Sequence, residues 1–426
     1  MGNRRSFFGR LAQAGAGLFT AAAAAPAALP PVPVELPDLK KLPHRMVDGV
    51  KEFHLVAMVV RTEFVPGRPV DAWGFNGSVP GPLIEANQGD RVRIVFHNNL
   101  PEMTAIHWHG FEVPMEMDGS LGLGQDPIPP GGMFTYEFTL HQHGTFFYHS
   151  HFPMQEMMGM LGMFILHPKE PATPHVDRDF GIVIQEWALL PNNNVPNTLA
   201  MEFNWLTFNG KAGPDCTPMV VRQGERVRIR LINIGMDHHP IHLHGVTFYV
   251  TGTEAGRVPP GMWIPQNTVL VGVAQARDIE FDAKYIGDWM LHCHLPHHMM
   301  NQMVTMVGPI EHGGHAGHHE DGGVGPFPVD DPAKKKVPGY PQDMWMNMDA
   351  SVRPKAEHQG LRKGWAAAMM GMMTMVRVLP PGQYDAIMKQ RGTDPPAPSA
   401  PKPDHEHHHH HHPEPQPKKK TPGGVK

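Results

Sequence analysis

Four histidine pairs of the form His-X-His recur in matching positions along the chain: His107/His109, His149/His151, His242/His244 and His292/His294. Successive side chains on a strand alternate between its two faces, so residues two apart converge on one side. Imidazole is a good ligand for copper and zinc, and eight of them in this pattern suit a copper cluster. One such pair is commonplace at a surface; four in repeating positions are not. Cys293 lies inside the last pair and must therefore point to the opposite face. There it can meet His239, three residues before His242, together with His298 and Met303, five and ten residues after the cysteine. A thiolate, two imidazoles and a weak axial thioether make an electron-transfer copper centre. The Cys293 backbone would then link that centre directly to His292 and His294.

The elements that position these side chains are written twice. The first copy reads Phe75-Asn76-Gly77, Gly89-Asp90-Arg91-Val92-Arg93-Ile94, His107-Trp108-His109-Gly110 and Tyr148-His149-Ser150-His151. The second reads Phe208-Asn209-Gly210, Gly224-Glu225-Arg226-Val227-Arg228-Ile229, His242-Leu243-His244-Gly245 and Leu291-His292-Cys293-His294. Gly89 precedes His107 by 18 residues, and Gly224 precedes His242 by 18 again. In the first copy His239, Cys293, His298 and Met303 correspond to Thr104, Ser150, Gln155 and Met160. Three of the four soft ligands are missing there, so the first copy supplies four histidines and no thiolate centre.

A length of 426 residues accommodates two or three domains, and 46 prolines with 45 glycines disfavour long helices. Short alternating strands such as Arg91-Val92-Arg93-Ile94-Val95-Phe96 argue for an all-β chain with one sandwich per repeat. The expected organisation is a Pro-rich linker at 29–43, domain one at 44–170, domain two at 171–310 and a His/Pro/Lys-rich tail at 311–426. Within that tail, 357–391 is expected to hold a short Met-rich helix ended by Pro380-Pro381, its methionines at 369–375 buried against the body or a partner. The remainder lacks the apolar surface needed to order itself. The net charge of −5 carries no nucleic-acid footprint. Two cysteines give no disulfide framework, and Cys216 reads as a small buried hydrophobe. The 31 histidines and 30 methionines are the anomaly, both being metal-capable. The histidine run at 407–412 fits a purification tag or a native metal-scavenging tail; the residues that follow it, and the His-rich stretch 312–319, favour the tail.

At the N-terminus, Arg4-Arg5-Ser6-Phe7-Phe8 and an Ala-rich stretch resemble a twin-arginine export signal spanning 1–28, which implies a periplasmic or secreted protein. The apolar run falls short of the roughly 20 residues a spanning helix needs.

Together, His107-Trp108-His109-Gly110, Tyr148-His149-Ser150-His151, His239-Pro240-Ile241-His242-Leu243-His244-Gly245 and His292-Cys293-His294 with His298 and Met303 resemble the four signatures of the multicopper oxidases. Val79-Pro80-Gly81-Pro82 also resembles part of that family's first domain. The resemblance covers about residues 44–309. It implies two cupredoxin-like Greek-key β-sandwiches holding one type 1, one type 2 and two type 3 coppers per functional unit. His107 and His242 would hold type 2; His109, His149, His151, His244, His292 and His294 the type 3 pair; His239, Cys293, His298 and Met303 type 1. Only 88 residues separate His151 from His239, leaving no room for a middle domain. The chain is thus similar to two-domain laccases, which complete each three-copper cluster between neighbouring subunits of a homotrimer. The implied activity couples one-electron oxidation of cuprous or other metal ions, or of phenols, to four-electron reduction of O2 to water. Asp118 matches the family's acid near type 2 copper and would handle protons alongside the electron-carrying Cys293, His292 and His294. Pro296 and Met299 stand where many relatives carry another acid, which is a departure from the pattern. A non-catalytic copper-resistance protein would explain the methionines and histidines without requiring Cys293, and a copper nitrite reductase would need its cysteine where Ser150 stands.

Overall fold

A computed structural model describes residues 31–190, 193–299 and 349–392. The stretch 1–28 read as an export signal, Met303 and the His-rich stretches 312–319 and 407–412 lie outside these residues. Two β-sandwiches account for nearly all of the described chain, as the strand patterning predicts. On Arg91–Asn98, alternate residues are buried while their neighbours stay partly accessible, the signature of a strand with one face in a core. Val92, Ile94 and Phe96 meet Ile106, Trp108, Phe146 and Phe164 from the opposite sheet in one apolar cluster. The second sandwich repeats this with Val227, Ile229 and Leu231 against Ile241, Leu243, Leu291 and Val376.

In each sandwich one sheet carries the histidines. In the first the strand order is Ile84–Asn87, Leu161–His167, Gly144–Ser150, Ile106–His109. In the second it is Met219–Arg222, Met373–Leu379, Gly287–Cys293, His239–Leu243, Thr268–Val271. Register completes the placement: His107 lies opposite His149, and His242 opposite His292, with Ile241 opposite Cys293. The two sandwiches share an apolar seam in which Leu83, Phe147, Leu161 and Ile165 meet Val183, Ile232 and Ala276. Beside it, Thr145 donates to Asp278 at 2.6 Å and accepts from Arg230 at 2.8 Å.

Three expectations need correction. The methionines at 373–375 are not helical: Met373–Leu379 is a fully buried strand, parallel to Met219–Arg222 and antiparallel to Gly287–Cys293. A helix does form in this part of the chain, but at Pro381–Arg391, after the methionines. Pro380 and Pro381 open it rather than end another, because proline's fixed φ and missing N–H suit a first helical turn. Second, domain two does not finish at 310. Residues 349–392 belong to its body, where Tyr384 and Ile387 pack on Val220 and Leu379. Third, the 29–43 stretch is not simply a linker, since Val34–Glu35 pair in parallel with Asp179 and Phe180 of domain two, and Val34 is buried in the interdomain seam. Cys216 is buried in the second core, as expected. No helix among the described residues is long and apolar enough to cross a membrane.

Candidate metal centre

The strand Gly287–Cys293 ends in the sequence on which the site turns. Cys293 is fully buried, and two imidazoles approach it from different elements. His298 Nδ1, from the short turn Pro296–Met299, lies 3.4 Å from Cys293 Sγ. His239 Nδ1, from the neighbouring strand, lies 3.7 Å from the same sulfur, and the two ring nitrogens are 3.1 Å apart. Three potential ligand atoms thus converge, all within 4.8 Å of one another. Burial pushes the Cys293 thiol up to about 12 and the His298 imidazole down to about 4, so the metal-free pair is neutral. A neutral thiol and lone-pair nitrogens aimed at one point fit a soft metal that binds thiolate.

His239 is held from behind. Its Nε2 is 3.2 Å from Glu186 Oε2, and neither side chain has exposed surface. With Nε2–H donating to that carboxylate, Nδ1 keeps its lone pair for a metal. Glu186 also accepts from the Met236 and Asp237 backbone N–H groups, which accounts for its burial. Sequence reasoning missed this residue. The signal was present: Gln185-Glu186 interrupts the apolar strand Arg178–Trp187.

The four histidines of each half cluster as pairs on facing strands. His107 has ring centroids 5.5, 5.3 and 5.5 Å from His109, His149 and His151. His242 stands 4.7, 5.6 and 5.5 Å from His244, His292 and His294. Several rings are oriented by backbone carbonyls. The Nδ1–H groups of His107, His149, His242 and His292 donate to the carbonyls of Asp118, Ser150, Asn267 and Cys293 at 2.7–2.8 Å. Each of those rings therefore presents Nε2 to the cluster. His109 turns Nδ1 toward His149 Nε2 at 3.3 Å, and His244 Nε2 faces His292 Nε2 at 3.1 Å. Burial lowers His109 to about 4, which keeps it an uncharged donor. Asp118 sits with its carboxylate 3.4 Å from His107 Nδ1. A second acid, Glu156, contacts His149 Nδ1; its position in a short helix after His151 gave no earlier sign.

The first sandwich shows what replaces the thiolate site. Thr104 and Ser150 both hydrogen-bond to the Gln155 side-chain oxygen, at 2.7 and 2.8 Å, and lie 3.2 Å from each other. These three buried groups satisfy one another, leaving no convergent soft donors.

Residues 59–171 and 190–309 each match a family model described as multicopper oxidase. The solved blue copper oxidase from Nitrosomonas europaea is 31% identical with a TM-score of 0.55, the match covering 59% of this chain and 81% of that one. The chain belongs to the multicopper oxidase family. A second solved member, the multicopper oxidase mgLAC, is 29% identical with a TM-score of 0.55, again over 59% and 81%. Among curated relatives, Laccase-2 of Botryotinia fuckeliana is 34% identical over 56% of this chain and 44% of its own length. A copper resistance protein A homolog from Pseudomonas syringae pv. tomato is 41% identical over 29% and 21%. The chain spans less than half the length of these curated relatives. Family membership makes copper the cofactor, in agreement with the donors assembled here.

Proposed function

We propose that this chain is a two-domain oxidase coupling one-electron oxidation of a reducing substrate to four-electron reduction of O2 to water. The observation that carries the proposal is the strand Gly287–Cys293, which offers its cysteine to His239 and His298 and its flanking histidines to the opposite face. His239, Cys293 and His298 would hold type 1 copper. His107 and His242 would hold type 2, and His109, His149, His151, His244, His292 and His294 the type 3 pair. Copper bound in these places supplies the one-electron exchange and the O2 chemistry. The protein's own part is to fix donor geometry, keep the thiol dry and carry protons. Cys293 and His292 are adjacent in the chain, so a covalent path of a few bonds joins the two faces. Asp118 and Glu156, each on a cluster histidine, are placed to pass protons to the oxygen-reducing side.

Among the described residues, ring contacts join the histidines within each half, and none joins the two halves. Each half-cluster calls for a partner, which a closed head-to-tail homotrimer supplies. The donor side lies near His298, whose Nε2 is 3.7 Å from the partly exposed Asp237 carboxylate. A carboxylate there favours a cationic donor. Met299, next to His298 in the chain, packs with Met290 and the buried Met369, Met373 and Met375. Thioethers select Cu(I), so cuprous ion is the proposed substrate, with phenols as the other class. Export by the twin-arginine-like leader would place the enzyme in the periplasm or outside the cell. Oxygen uptake by the copper-loaded protein with Cu(I), Fe(II) and 2,6-dimethoxyphenol tests the proposal. Uptake fastest with Cu(I) supports the metal-oxidase reading, uptake with the phenol alone makes it a laccase, and none with any donor leaves a copper carrier.

A further inference from the structure

The type 1 reading leaves its fourth, axial position open, and the internal repeat points to an occupant that ligand spacing alone does not suggest. In the first sandwich the residue at the axial position is Met160. Its carbonyl accepts from Ser150 N–H at 2.9 Å and its N–H donates to Gln155 O at 3.1 Å. Ser150 and Gln155 are the counterparts of Cys293 and His298. In the second sandwich the residue making those two bonds is Met372: its carbonyl accepts from Cys293 N–H at 3.1 Å and its N–H donates to His298 O at 2.8 Å.

The correspondence extends along the chain. Met160 follows Gly159 and immediately precedes the strand Leu161–His167; Met372 follows Gly371 and immediately precedes Met373–Leu379. Leu161 pairs with His149, and Met373 with His292. Each strand then runs parallel to one neighbour, Ile84–Asn87 or Met219–Arg222. Side-chain placement agrees. Met372 has no exposed surface and belongs to the same apolar cluster as Cys293 and Ile241, whereas Met373 and Met375 lie in a separate cluster on the other side of the sheet.

We infer that Met372, not Met303, is the axial thioether ligand of the type 1 copper. The chain thus leaves the site at His298 and returns 74 residues later to complete it. The inference rests on the type 1 assignment of His239, Cys293 and His298. Met303, the methionine at the expected spacing, falls in the intervening stretch, outside the described residues.

Visible absorption, electron paramagnetic resonance and the type 1 reduction potential of copper-loaded protein test it, using Met372→Leu, Met372→Gln and Met303→Leu. Removing a weak axial donor raises the potential, and a stronger oxygen donor lowers it. Met372→Leu is expected to shift the potential upward with the blue band retained. Met372→Gln shifts it downward and changes the spectrum, and Met303→Leu moves neither. A shift caused by Met303→Leu, with both Met372 variants matching the parent, overturns the axial assignment alone. A fully loaded parent without a blue band overturns the type 1 reading beneath it.

Discussion

Glu186 touches no metal-facing atom, yet its Oε2 lies 3.2 Å from His239 Nε2 in a place that water does not reach. A carboxylate behind a ligating imidazole fixes the tautomer and raises ligand basicity, and losing such a partner typically costs about 10–100-fold in metal affinity. Glu186→Gln should therefore weaken type 1 copper retention by about 10-fold or more and raise that centre's reduction potential. Copper titration with redox potentiometry measures both. Unaltered retention and potential would show that Glu186 merely fills space.

Asp118 acts on the other side. Its carboxylate is 3.4 Å from His107 Nδ1, and Ser120 donates to it. Proton-transfer groups contribute typically about 10²–10⁴-fold. Asp118→Asn should lower kcat by at least about 10-fold while leaving the type 1 spectrum and potential unmoved. A variant turning over at the parental rate would assign the proton route elsewhere, with Glu156 the next residue to test.

The two cysteines should separate cleanly. Cys293→Ser removes the thiolate and is expected to abolish both blue absorption and O2 consumption. Cys216 is buried in the second core and donates to the Lys211 carbonyl at 3.2 Å, a bond serine can also make. Cys216→Ser should keep colour and turnover, with a stability loss of about 1 kcal/mol in urea titration. Loss of colour in the Cys216 variant would contradict its structural role.

Assembly has its own readout. Native mass spectrometry of copper-loaded protein should give three chains, and dilution below the dissociation range should reduce O2 uptake before type 1 colour is lost. A fully loaded, active monomer would rule out clusters shared between subunits.

A carboxylate network shapes the acid limit. Burial alone would raise Glu280, but the Arg257 and Arg228 guanidiniums outweigh burial and hold it at about 2. A folded value below the ordinary 4.5 means that its stabilisation is complete above pH 4.5 and drains away as pH falls toward 2. The full contribution is about 3 kcal/mol. Urea midpoints should decline across that window, and Glu280→Gln should be less stable at neutral pH with a shallower decline. An identical acid slope in the variant would place the titration elsewhere.

The histidine pairs and Cys293 were legible because strand alternation converts spacing into direction without knowledge of the rest of the fold. The duplication made the two β-sandwiches legible, though not their bounds, and it aligned Thr104, Ser150 and Gln155 with the ligand positions before their mutual hydrogen bonds were visible. Met373–Leu379 was not legible. Its methionines lack the alternation of a strand with one wet face, and a strand buried on both sides reads like a helix buried all round. Glu186 and Glu156 escaped because they act through tertiary contact, which neighbouring residues in the sequence do not encode. Val34–Glu35 were lost in Pro-rich surroundings, where two residues of pairing leave no periodic trace.

Met373–Leu379 sits between Met219–Arg222 and Gly287–Cys293, so a protein cut after Pro309, where the recognisable domain pattern stops, would lose an inner strand of the copper-bearing sheet. Two rows of backbone donors and acceptors would then face each other across an open gap, and such unpaired edges invite pairing with other chains. Shortening this protein to its two apparent modules should thus yield aggregating material rather than a minimal enzyme.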